Sequence, residues 1–512
     1  MGLSDAEPTR VRYGVMAFLC SLAFILYLDR VCIAQAGTAM KAELGLSNFQ
    51  WGLVLVAFQI AYAIFEPTTG HWGDRYGSRR VLIRIVLWWS TFTALTGCVW
   101  NFSYELLPGV AAGFLLLLAI RFLFGAGEAG ALTNAARVVS CWFPPGKRGP
   151  AQALISTSAQ IGGAAAPIVA AFFIDSPYIG WRWAFVIFGS LGVVWAWFFA
   201  RYFRDDPATH PHVNDAERQY ILGRAAQPTP TSDAASNGAD SQSETTFAAG
   251  QPHSTSVRAG GASDSGGAVA HASGSDPSPK AMDERIGAIP KPPDHHIPWR
   301  LVFSNANIWL LGIINACTSF FSYMLFSWFP TYLKEGRGLD ELTSGRLGSL
   351  PFLFGATGVL LGGYIGDWLT ARAGSRRFAL CSMGTVGLLL AGTLVGSSLY
   401  ADEPIIAVLL CSIGFFFSYV QLAAWWACMA DVGGRHLGAL FGVCNMVGLA
   451  GGAISQVFLG SYADTMKALG YVGRAQWDPA FYLYGGVLML GGVLWLFMNP
   501  RRTVVPEDAT HV

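Results

Sequence analysis

GHWGDRYGSRR, residues 70–80, is a short polar turn between two long apolar runs, and its reading decides the fold. A second version follows 293 residues later as GYIGD at 363–367, trailed by GSRR at 374–377. Two further pairs keep the same order. WRWAFVIFG at 181–189 answers to WDPAFYLYG at 477–485, and RGPAQAL at 148–154 to RHLGALFG at 435–442, with offsets of 296 and 287. Near-constant offsets in one order mean two halves built on one plan.

Working outward, the chain is apolar to an extent that water does not tolerate. Of its 512 residues 53% are hydrophobic and 13% charged, with 18 Trp and 34 Phe; a soluble domain averages about 25% charged. The net charge of +1 excludes a global field aimed at nucleic acid or an acidic partner. Twelve apolar runs of membrane-spanning length recur, the first over 14–34 and the last over 480–498. The first run is long enough to span, and no small-residue cleavage site follows it, so no removable signal peptide is expected. Helices must then carry the chain across lipid, because they satisfy their own backbone groups. The expected fold is an all-α membrane protein of twelve transmembrane helices in two six-helix bundles.

Alternate loops differ in charge. One set, with the two ends of the chain, carries thirteen Lys and Arg; the other carries seven. That asymmetry predicts cytoplasmic termini. Residues 225–295 are rich in Pro, Ser, Gly, Ala and Asp, with Phe247 the lone aromatic. Such a segment cannot bury enough apolar area to fold by itself. The expected organisation is therefore a cytoplasmic N-terminus at 1–13, a bundle at 14–203, a largely disordered linker at 204–300, a bundle at 301–499 and a tail at 500–512.

Nothing in the pattern suggests an enzyme. The nine Cys are isolated, no C-x-x-C occurs, and no His pairs with Cys or Glu at metal-ligand spacing. There is no Walker loop, hence no sign of direct ATP coupling. No cofactor and no metal are expected.

The chemistry must lie with ionisable groups inside the apolar runs. AFILYLDRVCIAQA at 23–36 sets Asp29 beside Arg30, and RFLFGAGEAG at 121–130 sets Arg121 seven residues before Glu128. Seven residues is nearly two turns, so Arg121 and Glu128 share a helix face about 10 Å apart, while Asp29 and Arg30 point roughly 100° apart. Two acids and two bases around one cavity sum to neutrality, which lets a membrane interior hold them. Such groups either fix helix packing as salt bridges or serve function. An arginine fork grips a carboxylate bidentately, and a carboxyl in a partly dry site can exchange a proton. Together these make proton–anion symport possible. The overlapping small-residue spacings of GATGVLLGGYIGD at 355–367 suit helices that pack closely or slide.

These motifs resemble the major facilitator superfamily. GHWGDRYGSRR is similar to its loop between helices 2 and 3, with Gly70, Asp74, Arg75, Gly77 and Arg80 at the gating positions. YLDR at 27–30, Arg121 with Glu128, and SAQ at 158–160 resemble its anion:cation symporter branch. That branch includes bacterial galactonate, glucarate and hexuronate transporters, with sialin and the vesicular glutamate transporters as animal relatives. The resemblance implies that Arg30 holds the substrate carboxylate, that Tyr27, Tyr62, Gln160, Trp426 and Asn445 line the cavity, and that Asp29 and Glu128 are protonatable acids next to Arg121. The chain departs from the pattern at Glu66, in IFEPTTG, which is a further candidate for proton coupling. It departs again where Trp368 follows Asp367. The implied activity is proton-coupled symport of a sugar acid (hexonate, hexarate or hexuronate) by a monomer in a bacterial inner membrane. An organic-anion exchanger or facilitator, or a membrane sensor that kept the fold, remain the alternatives.

Overall fold

The computed structural model describes residues 7–100, 105–107, 110–176, 178, 180–222, 299–433 and 437–499. Twelve long helices carry these residues: α1 Val11–Leu44, α2 Asn48–Tyr76, α3 Ser78–Thr96, α4 Ala112–Trp142, α5 Pro145–Asp175, α6 Gly180–Tyr202, α7 Ala306–Ser327, α8 Glu341–Ala373, α9 Arg376–Ser397, α10 Pro404–Gly433, α11 Leu437–Ala468 and α12 Pro479–Trp495. Ten of them hold a stretch long and apolar enough to cross a membrane. The other two are α3, which carries Arg79, Arg80 and Arg84, and α12, which has 17 residues. A short ladder pairs Glu105–Leu107 with Val110–Ala111 before α4.

Local chemistry sets the ends. α1 stops at Gly45, whose φ of 66° is left-handed. α2 starts with a reciprocal cap: Gln50 N donates to Ser47 Oγ at 3.1 Å and Ser47 N to Gln50 Oε1 at 3.0 Å. The glycines of the repeated turn explain themselves. Gly77 ends α2 at φ 85° and Gly374 ends α8 at φ 61°. A Cβ on Gly77 would sit 2.6 Å from Asp205 Oδ2, and the same carboxylate accepts from Arg79 N at 2.8 Å. α4 breaks at Gly130, φ 82°, where Glu128 ends its first segment and Ala131 begins the second.

Within the first half α1 packs on α5, α2 on α4, and α3 on α6; within the second, α7 packs on α11, α8 on α10, and α9 on α12. The same pairing in each half is the repeat seen in the sequence. The halves meet along α2–α11 and α5–α8. Small residues permit that approach. A Cβ on Gly52 would lie 2.7 Å from the Gln456 carbonyl, and one on Gly345 2.7 Å from the Pro167 carbonyl. At the end opposite the arginine-rich turns, cross-half bonds knit the molecule shut. Lys41 Nζ pairs with Glu335 Oε1 at 2.8 Å, and Asp464 accepts from Asn48 N at 3.1 Å and Phe49 N at 2.7 Å, capping α2 from the other half. Gln35 Nε2 donates to Glu341 Oε1 at 2.6 Å, and Lys334 Nζ to the Gln35 carbonyl at 2.7 Å.

One expectation shifts. The chain does not become linker at 204. Past α6 it folds back through a turn at Pro207–Thr209 and a short helix, Asp215–Ile221. Glu217 of that helix is fully buried and accepts from Val11 N at 3.2 Å, Arg12 N at 3.0 Å and Arg12 Nη1 at 3.1 Å. A carboxylate at the start of α1 meets unpaired N–H groups and the positive end of the helix dipole, which composition does not reveal. The rest of the expected linker, 223–298, the extreme N-terminus at 1–6 and the tail at 500–512 lie outside the described residues.

Candidate functional site

Arg30 is the centre of the cluster. Its Nε donates to Glu128 Oε1 at 2.9 Å, and a second guanidinium nitrogen reaches the same oxygen. The side chains are 12% and 1% exposed. The rings of Tyr27, Phe58 and Tyr62 stand 5.3, 5.0 and 5.2 Å from its guanidinium carbon, so one carboxylate and three π faces hold the cation. Phe58 also faces Arg121 at 5.3 Å, with Phe124 at 4.6 Å behind. One phenyl ring thus separates the two arginines.

Helical spacing placed Arg121 and Glu128 on one face, and they do share it. The partner of Glu128, however, is Arg30 on α1. Asp29 is buried at 1% exposure; no close, well-aligned hydrogen bond reaches its oxygens, and the Trp89 indole is the donor that faces them. Arg121 is the cation that acts on it, and Arg121 Nε is itself unpartnered, as is Glu128 Oε2. Orphaned polar atoms at this density are unusual in a folded interior.

The second half supplies the opposite wall. Gln160 of α5 is buried with its Oε1 unpartnered, facing Tyr419 of α10, and a Cβ on Gly355 of α8 would come within 3.7 Å of it. Tyr27 meets Phe326 edge-on at 6.4 Å, and Phe326 stacks on Phe352 at 5.2 Å. Gln59 of α2, both amide atoms unpartnered, faces Tyr323. Asn445 Nδ2 donates across the halves to Glu66 Oε2 at 3.4 Å, and the Tyr62 hydroxyl to Glu66 Oε1 at 3.4 Å. Trp426 stands apart: half-exposed, it stacks on Phe441 at 4.6 Å, one turn from Asn445.

The sequence reading did not single out Phe58, Gln59, Tyr323, Phe326, Phe352 or Tyr419. FFSYMLF at 320–326 and FFFSYV at 415–420, each a mixture of aromatics and hydroxyls, offered a signal. In the turn, Gly77 is held as described, Arg75 lies over the Tyr76 ring at 5.4 Å and Arg80 is exposed. A Cβ on Gly70 would touch Thr133 at 3.4 Å. The Asp74 side chain lies outside the described residues. Unforeseen support for this turn comes from Asn134, whose Nδ2 donates to the carbonyls of Thr69 at 3.3 Å and Gly130 at 2.8 Å.

Two repeated six-helix halves around a midplane cluster of charges define a secondary transporter and not an enzyme. The chain belongs to the Major Facilitator Superfamily, which it matches over residues 19–456. It is 28% identical to a "Probable sulfoacetate transporter" of Cupriavidus necator over 98% of its own length and 97% of the relative's. It is 28% identical to a "Probable galactarate/D-glucarate transporter" of Escherichia coli, covering 92% of each chain, and 25% identical to a D-galactonate transporter of Escherichia coli, covering 97% of each. Among solved structures, an inward-facing bacterial homologue of the lysosomal transporter Spinster superposes with a TM-score of 0.66 at 17% identity, over 97% of this chain and 98% of that one. A D-xylose–proton symporter superposes with a TM-score of 0.64 at 12% identity, over 96% and 98%.

Proposed function

We propose that this protein moves an organic anion together with protons by alternating access, and that the anion is a sugar acid of the hexonate, hexarate or hexuronate class. The membrane would be a bacterial inner membrane with both termini cytoplasmic, the working unit a monomer. The observation that carries the reading is the buried Arg30–Glu128 pair beside the likewise buried Asp29 carboxyl. In the empty carrier Glu128 occupies the Arg30 fork. A proton on Glu128 weakens that bond and releases the fork to a substrate carboxylate, which it binds bidentately. Asp29, facing Arg121, takes a second proton. Tyr27, Tyr62, Gln160 and Asn445 offer hydroxyl and amide partners to the rest of the substrate, and Trp426 borders the approach to it. The turn at Gly70, Asp74, Arg75, Gly77 and Arg80 gates the arginine-rich end.

Glu128→Gln tests the mechanism because it mimics the protonated acid. Counter-flow of labelled anion without a gradient should persist, and uphill uptake driven by a pH gradient should fail. Retained accumulation would remove Glu128 from the coupling role; uptake indifferent to pH in the unaltered protein would favour an exchanger or facilitator. A second substrate reading rests on the Cupriavidus relative, whose name specifies a small sulfonate. Counter-flow with D-galactonate, D-glucarate, D-glucuronate and sulfoacetate separates the two.

A further inference from the structure

We propose that Glu66 is a third proton-accepting acid of the transport cycle and raises by one the number of protons carried with each anion. The inference rests on the proton–anion symport reading above.

Three observations converge on it. The first is charge. The site holds three carboxyl groups, Asp29, Glu66 and Glu128, against two guanidinium groups, Arg30 and Arg121. With all five ionised the sum is −1, and an incoming monoanion makes it −2. A cavity that closes in a low-dielectric medium opposes that charge. Reaching neutrality with a dianion takes three protons when Glu66 is present, one for each acid, and two when it is not.

The second observation is the surroundings of Glu66. No salt bridge holds it among the described residues. The groups that face it are Tyr62 on its own helix, Thr133 on α4, Asn445 on α11, and Arg30 on α1. Arg30, the one cation in that set, is already bound to Glu128. The hydrogen bonds to Glu66 are long, 3.4 Å from the Tyr62 hydroxyl and 3.4 Å from Asn445 Nδ2. These partners suit either protonation state: an ionised carboxylate accepts from the amide nitrogen, and a protonated one can donate to the amide oxygen after a rotation.

The third observation is placement. The bond to Asn445 joins α2 to α11, one of the two interfaces along which the halves meet. It lies toward the arginine-rich end, whereas the strong cross-half bonds of Gln35, Lys41, Asn48 and Lys334 lie at the other. Movement of the halves therefore changes what Glu66 touches, which a coupling acid requires.

The test is thermodynamic. In proteoliposomes held at zero membrane potential, at a fixed gradient of whichever labelled anion of the four-member panel gives counter-flow, the pH gradient that stops net flux yields the proton-to-anion ratio. That ratio is read at whatever rate a variant retains. Glu66→Gln should lower it by one, and Glu66→Asp should keep the unaltered value. Equal ratios in Glu66→Gln and the unaltered protein overturn the proposal while leaving symport intact. A ratio of zero in the unaltered protein overturns the symport reading and this one with it. For a variant too slow for flux, calorimetric binding of the same anion in buffers of different ionisation enthalpy counts the protons taken up. A smaller uptake in Glu66→Gln is expected, and an equal one overturns the proposal.

Discussion

Arg30 shows what a single residue must do in this site. It is held by one carboxylate oxygen and three aromatic rings, an environment for a flat, delocalised cation and not for a compact ammonium. Arg30→Lys should therefore weaken anion binding by about 2–5 kcal/mol, roughly 30- to 4000-fold, although the charge is kept. Binding of the labelled panel to purified protein checks this; near-normal affinity would place the substrate carboxylate elsewhere. The four charges were legible in the sequence because ionised side chains are conspicuous in apolar runs. Their pairing was not. A period of 3.6 residues says which residues share a face and nothing about which neighbouring helix faces them, so Glu128 meeting Arg30, and Phe58 lying between two arginines, emerged only when α1, α2 and α4 were packed.

At the scale of elements, the start of α1 is the instructive case. Glu217 comes from beyond α6 to satisfy the first N–H groups of α1 and the Arg12 guanidinium. Glu217→Ala leaves that buried cation without its partner and should cost about 3–5 kcal/mol, read as a lower midpoint of thermal inactivation in detergent. By contrast, residues 228–280 are too poor in apolar side chains to fold by themselves, and their deletion leaves a chain able to bridge the halves. Folding and transport should survive that deletion. Loss of transport at normal membrane expression would reveal a specific role for the segment. The helix contacts add a steric prediction. A Cβ on Gly163 would stand 2.5 Å from the Phe352 ring across α5–α8, so Gly163→Leu should force the halves apart and abolish counter-flow. Full activity would show that this interface is not tight during transport. The helices themselves could be read from apolar runs of the right length. Their true ends could not: α1 continues to Leu44, ten residues past the run that ends at 34, because polar residues near its end are paired by the other half.

For the whole molecule, the cross-half network sets which end is closed. Asp464 caps α2 from α11, and Lys41 reaches Glu335 beyond α7; such bonds exist only while that end is shut. Asp464→Asn or Lys41→Met should shift the balance toward the opposite state by about 1–3 kcal/mol, or roughly 5- to 150-fold. A cysteine placed at Thr38, in a background with the exposed Cys98 and Cys141 changed to serine, reports it. An impermeant thiol reagent added on the side away from the arginine-rich turns should label it faster in the variants, and an unchanged rate would mean that other contacts hold the gate. By itself the sequence determined the helical membrane fold, the two-fold repeat and the identity of the buried charges. Each of these follows from local order: run length, periodicity and the cost of charge in lipid. Tertiary structure alone decided the Arg30–Glu128 bond, the aromatic wall of Tyr323, Phe326, Phe352 and Tyr419, the Glu66–Asn445 link and the closed end. The Arg30–Glu128 bond spans 98 positions and needs α1 and α4 of one half packed together; the others depend on the packing of the two halves, which joins residues up to 416 positions apart.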